Sequence, residues 1–88
     1  MDYHLFTYPN CQKCEKLRKH LKAVAVSVRE YNLVERESKL KIREFLSQVR
    51  RDASGAIILP MLVAEEGGSI SAVLNSQEEF EAWWKSRA

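Results

Sequence analysis

The stretch that decides the fold is Tyr3-His4-Leu5-Phe6-Thr7-Tyr8-Pro9-Asn10-Cys11-Gln12-Lys13-Cys14-Glu15-Lys16-Leu17. Tyr3 to Tyr8 is rich in β-formers and reads as a short strand. Pro9-Asn10 ends it. Cys14, Leu17, Leu21 and Val24 then recur at helical spacing, which predicts a helix from about Cys11 to Ala23 with these residues as its inner stripe. Lys13, Lys16, Lys19 and Lys22 fall off that stripe. Two cysteines three residues apart thus sit where a strand hands over to a helix.

Beyond this helix, Val26 to Tyr31 reads as a second strand with Val26 and Val28 on one face. Glu35 to Arg51 reads as a second helix whose apolar face is Ile42, Phe45, Leu46 and Val49. Ala53-Ser54-Gly55 is a turn. Ile57 to Glu65 reads as a third strand, with Pro60 placed near its start because proline cannot donate to a ladder. Gly67-Gly68 is a hairpin signal, and Ser69 to Leu74 is the return strand. Asn75 or Ser76 can cap the last helix, with Ser76 and Glu79 at capping-box spacing. Phe80, Trp83 and Trp84 pack that helix. The order is β-α-β-α-β-β-α. The alternating first half favours parallel pairing through a right-handed crossover, and the second half is a hairpin plus a helix. The expected class is α/β, with a mixed four-stranded sheet flanked by helices on both faces. The 88 residues read as one domain without linker or repeat.

Composition bounds the function classes. The chain is 45% hydrophobic and 30% charged, with three Gly and two Pro, which is ordinary for a globular protein. A net charge of +2 predicts neither nucleic-acid nor membrane binding. Basic residues gather in two stretches, Lys13 to Lys22 and Lys39 to Arg51, with acids interspersed, and read as solvated helix faces. The start Met-Asp-Tyr-His carries no secretory pattern, and the apolar run Ala56 to Val63 is too short to cross a bilayer. The expectation is a cytoplasmic chain, where a close cysteine pair is redox-active or metal-binding rather than a structural staple.

The pair carries the chemistry. Thiols at i and i+3 on a helix can reach disulfide distance with little backbone movement. Cys11 falls at the helix N-terminus, where open N–H groups and the helix dipole favour a thiolate. Cys14 belongs to the buried stripe. An exposed nucleophile and a shielded resolving partner are what thiol–disulfide exchange requires.

With Phe6 to Leu17, Leu59-Pro60 and the Gly67-Gly68 hairpin in place, the chain resembles the glutaredoxin-like branch of the thioredoxin superfamily, and the likeness in element order covers nearly the whole chain. The resemblance implies a thioredoxin-like fold and a protein disulfide oxidoreductase with Cys11 and Cys14 as catalytic residues. It also implies a cis Pro60, with Leu59 facing the active site and its backbone pairing with substrate. The backbone N–H groups of Ser76 and Gln77 can bind a carboxylate at a helix start. No bound cofactor is expected. Glutathione is a candidate co-substrate or electron donor alongside a reductase, and the partner is a disulfide-containing protein or a low-molecular-weight thiol. The chain departs from the family in Gln12-Lys13 between the cysteines, in Ile58-Leu59 before the proline, and in Val73-Leu74-Asn75-Ser76-Gln77 before the last helix.

Two other readings stay open on sequence alone. His4 and His20 do not complete a zinc site with the cysteines, but two chains could pool four thiolates around zinc or an iron–sulfur cluster. Each histidine reads as a surface or partly buried residue. Tyr8 to Lys16 also resembles the start of arsenate-reductase-like proteins and their regulatory relatives, in which the pair serves as a redox switch. The long helical insertion of that group is missing here.

Overall fold

The computed structural model describes residues 1–87. Its elements run β1 (Asp2–Thr7), α1 (Gln12–Ala23), β2 (Arg29–Asn32), α2 (Arg36–Ile42) continued by a 3₁₀ segment (Arg43–Gln48), β3 (Met61–Glu66), β4 (Ser69–Leu74) and α3 (Gln77–Arg87). The four strands form one mixed sheet in the order β2-β1-β3-β4. β1 and β2 are parallel, joined through α1, while β3 is antiparallel to both β1 and β4.

Alternation along the strands divides the core between the two faces of the sheet. Leu5, Leu62 and Leu74 face α1 and α3, where Leu17, Leu21 and Phe80 complete one cluster. Phe6, Met61 and Val63 face the other way, onto Leu33, Ile42 and Phe45. Helices therefore cover both faces, as expected for this element order. Rings fill the α2 side: Phe6 stacks on Tyr31 with centroids 5.1 Å apart and meets Phe45 edge-on at 6.0 Å. His4 lies in the same layer, 5.4 Å from Phe45. It is buried rather than superficial, and its Nε2 donates to Glu65 Oε1 at 3.2 Å.

The departures from expectation have local causes. α1 ends in a Schellman motif: Val26 N–H donates to Leu21 O at 2.9 Å and Ala25 N–H to Lys22 O at 3.1 Å, with Ala25 at φ 57°. The Val26 donor is thereby removed from the ladder, so β2 begins at Arg29. Val26 and Val28 still turn to one side and pack on the α1 core. The second helix is shorter than its charge pattern suggests. Ile42 and Phe45 are three residues apart, which suits the three-residue turn of a 3₁₀ segment, and Phe45 itself leaves helical geometry (φ −121°, ψ 20°). Leu46 then falls off the apolar face and is 54% exposed. Ile57 and Ile58 do not belong to β3, because they pair back onto Arg51 and Arg50. β1 stops at Thr7, one residue before the expected end, and Tyr8 is exposed.

The register puts one end of each of the four strands together. β1 ends where β2 ends, because they are parallel, with Thr7 opposite Asn32. β3 begins there, with Met61 opposite Phe6, and β4 ends there, with Leu74 opposite Leu62. The segments 8–11, 58–60 and 75–77 therefore leave the sheet at one end. The Gly67-Gly68 turn lies at the other, with φ of 57° and 82° as a type I′ turn requires.

Candidate functional site at the end of the sheet

Cys11 is the N-cap of α1. It is extended (φ −105°, ψ 103°), its carbonyl accepts the Glu15 N–H at 3.1 Å, and its Sγ accepts the Cys14 N–H at 3.1 Å. The chain is turned into that position by Asn10, which takes a left-handed conformation (φ 58°) that asparagine tolerates better than most side chains. Cys11 and Cys14 are joined as a disulfide, with Cα atoms 5.2 Å apart. The two halves differ in access: Cys14 has no exposed surface, whereas Cys11 is only partly buried. Gln12, Lys13 and Lys16 around them are exposed.

α1 is anchored one turn beyond Cys14. Arg18 donates to both oxygens of Glu30 on β2, at 2.7 and 2.6 Å, and the buried Thr7 hydroxyl donates to Glu30 at 3.0 Å. The Arg18 guanidinium, helped by the Thr7 hydroxyl, holds the Glu30 carboxyl below its ordinary range, against the opposing effect of partial burial. The same pair raises the Arg18 pKa.

α3 starts beside α1. Ser76 is its cap, accepting the Glu79 N–H on Oγ at 3.1 Å. Glu79 Oε1 accepts the N–H of Asn75, at 3.0 Å, rather than closing the box on Ser76. Arg50 donates to both oxygens of Glu79 at 3.0 and 3.2 Å, and to Val73 O at 3.3 Å. Lys13, Lys16, Ser76, Gln77 and Glu78 line a groove of about 140 Å³ between the two helix starts. Ser76 and Gln77, expected to meet an anion, are thus brought to the helix that carries the cysteines. Farther along, His20 lies 3.6 Å from Glu81, so α1 and α3 run side by side in the same direction.

The Leu59–Pro60 peptide bond is cis, and Pro60 directly precedes β3. Leu59 is half-buried against the Phe6 cluster. The sequence did not mark what holds this segment. Asn75 Nδ2 donates to Ile58 O at 3.1 Å and to Pro60 O at 3.2 Å. Partners fifteen or more residues away leave no local pattern, and Asn75 offered only a cap signal. Among the described residues no three His, Cys, Asp or Glu side chains gather as a metal site, and no helix is long and apolar enough to cross a membrane.

Comparison with family models, with curated proteins and with solved structures gives no match for this chain. The functional reading therefore rests on the geometry of this end of the sheet.

Proposed function

We propose that the chain is a thiol–disulfide oxidoreductase with a thioredoxin-like fold, glutaredoxin-like in its element order. The observation that carries the reading is the Cys11–Cys14 disulfide at the opening of α1, with one sulfur accessible and the other shielded. As a structural staple the pair would gain comparatively little from closing so short a loop, since the chain entropy removed by a disulfide grows with the loop it closes.

In the reduced protein, the Cys11 thiolate attacks one sulfur of a substrate disulfide. A Cys11–substrate bond forms, and the other substrate sulfur leaves as a thiolate and takes up a proton. Cys14 loses its proton and attacks Cys11 Sγ, releasing the second substrate thiol and forming the Cys11–Cys14 disulfide. The substrate gains two electrons and the protein loses two, so a thiol reductant such as glutathione or a reductase must restore the dithiol. A cytoplasmic thiol pool would drive it that way. The open N–H groups at the start of α1 stabilise the Cys11 thiolate that makes the first attack. The Leu59 backbone supports pairing with the substrate chain. The groove at Ser76 and Gln77, flanked by Lys13 and Lys16, suits a carboxylate of a thiol substrate such as glutathione.

The test is equilibration in glutathione buffers of defined ratio, followed by alkylation and mass measurement. A reversible two-electron couple between roughly −180 and −290 mV, a range that includes thioredoxin- and glutaredoxin-type carriers, is the expected result. No intramolecular couple, or a bound metal that blocks alkylation, would overturn the reading. A reversible couple without turnover of any disulfide would point to a redox switch instead.

A further inference from the structure

Asn75 stands between β4 and α3 and is 6% exposed. Its side-chain nitrogen spends both protons on main-chain carbonyls of one segment, those of Ile58 and Pro60. These carbonyls flank Leu59. The N–H of Ile58 donates to Arg50 O at 2.9 Å, Arg50 pairs with Glu79, and Glu79 accepts the N–H of Asn75. The contacts close into a ring that surrounds Leu59 without using its main chain. Among the described residues neither the N–H nor the C=O of Leu59 has a hydrogen-bond partner, and Pro60 has no N–H to offer.

Asn75 Oδ1, by contrast, is buried with no partner. An orphaned buried acceptor costs stability. A residue that leaves one is poorly explained by its contribution to folding alone, and its two donated bonds are what it supplies.

We propose that Asn75 is a positioning residue for disulfide exchange. By occupying the carbonyls of Ile58 and Pro60 it presents the Leu59 N–H and C=O, at the end of the sheet that carries Cys11, as the edge onto which an extended peptide segment of a disulfide substrate adds. The inference rests on the reading of Cys11–Cys14 as a working couple. It makes the preferred substrate a disulfide with peptide main chain on either side of the sulfur, because a small disulfide has nothing to pair with Leu59.

The experiment compares wild type, Asn75→Ala and Asn75→Asp on two substrates, with dithiothreitol as reductant. One is a disulfide-linked peptide with several residues flanking each cysteine, and the other is bis(2-hydroxyethyl) disulfide. In Asn75→Ala, KM for the peptide rises roughly tenfold, the loss expected when bonds of ordinary strength no longer hold the segment, while kcat is unchanged. Asn75→Asp, which sets a carboxylate against two carbonyls, moves KM further in the same direction. Turnover of the small disulfide and the potential of the couple stay at wild-type values. An unchanged peptide KM, or equal losses on both substrates, would overturn the proposal. If the variants do not fold, the wild-type loop decides. Cys14→Ser protein joined through Cys11 to the peptide slows amide exchange at Leu59, and no slowing overturns the proposal. Failure of the wild type on both substrates would instead remove the oxidoreductase reading, and this inference with it.

Discussion

α1 and α3 start at the same end of the sheet, side by side, and begin in opposite ways. Each has open N–H groups that need an acceptor. α3 takes the Ser76 hydroxyl, then places the Glu79 carboxylate and the Arg50 guanidinium around the same end. α1 takes the sulfur of Cys11. Sulfur is a weak acceptor, so this cap contributes less to helix stability than a hydroxyl would. What it provides is a sulfur atom at the positive end of a helix, where a thiolate is favoured. Two helix starts of like geometry thus divide the work. One is closed by a hydroxyl and a carboxylate, and the other by a sulfur that is half of a disulfide.

The largest expected effect breaks the chemical half of the comparison. Cys11→Ser puts a good capping residue where the sulfur was, so α1 keeps its start. Reduction of a peptide disulfide should nevertheless fall to the uncatalysed rate, and turnover near that of wild type would show that the cap is not the nucleophile. The converse substitution, Ser76→Ala, breaks the structural half. It should cost about 1 kcal/mol in urea unfolding of the reduced protein. The potential of the Cys11–Cys14 couple should not move, and a shifted potential would mean that the two starts are not independent.

The smallest effect concerns the anchors. α3 is tied through Glu79 to Arg50, and α1 through Arg18 to Glu30. Arg18 holds the folded Glu30 carboxyl below its ordinary value of 4.5, with the Thr7 hydroxyl assisting. The stability this contributes is fully present above the unfolded value and is lost as pH falls through the lower folded value. Because the pair is substantially open to water, Glu30→Gln should cost less than about 1 kcal/mol at neutral pH. The gap between its urea midpoint and that of wild type should close as pH falls below 4.5 and the carboxyl takes up its proton. A gap that persists in acid would assign the loss to the Thr7 hydrogen bond and packing rather than to the ion pair.

The parts of the fold that could be read in the sequence are those fixed by short-range pattern. β4 occupies the expected Ser69–Leu74, and the hairpin turn lies at Gly67-Gly68. α1 starts one residue after the cysteine that was expected at its opening. The errors arise where a distant or non-repeating contact decides. Val26 gives its N–H to the end of α1 instead of to a strand, and Ile58 gives its N–H to Arg50. Phe45 turns between the rings of His4 and Phe6, and the helix tightens to follow it. At the candidate site, the cysteine pair and the start of α3 were legible because helix-start chemistry is local. The two bonds from Asn75 to the segment around Leu59 were not, since that contact exists only once β3 and β4 are paired.

The placement of Trp83 and Trp84 has an optical consequence. They are six and seven residues into α3, about 10 Å along its axis from the groove. They pack there on Phe80, with Trp84 stacked at 5.4 Å and Arg87 over Trp83 at 4.7 Å. Their emission is therefore a gauge of whether the far half of α3 is seated on the sheet. The sulfurs sit at the other end of the paired helices, so reducing the disulfide should leave this signal in place. The chain carries its own unfolding reporter, separate from the thiol count that reads its redox state.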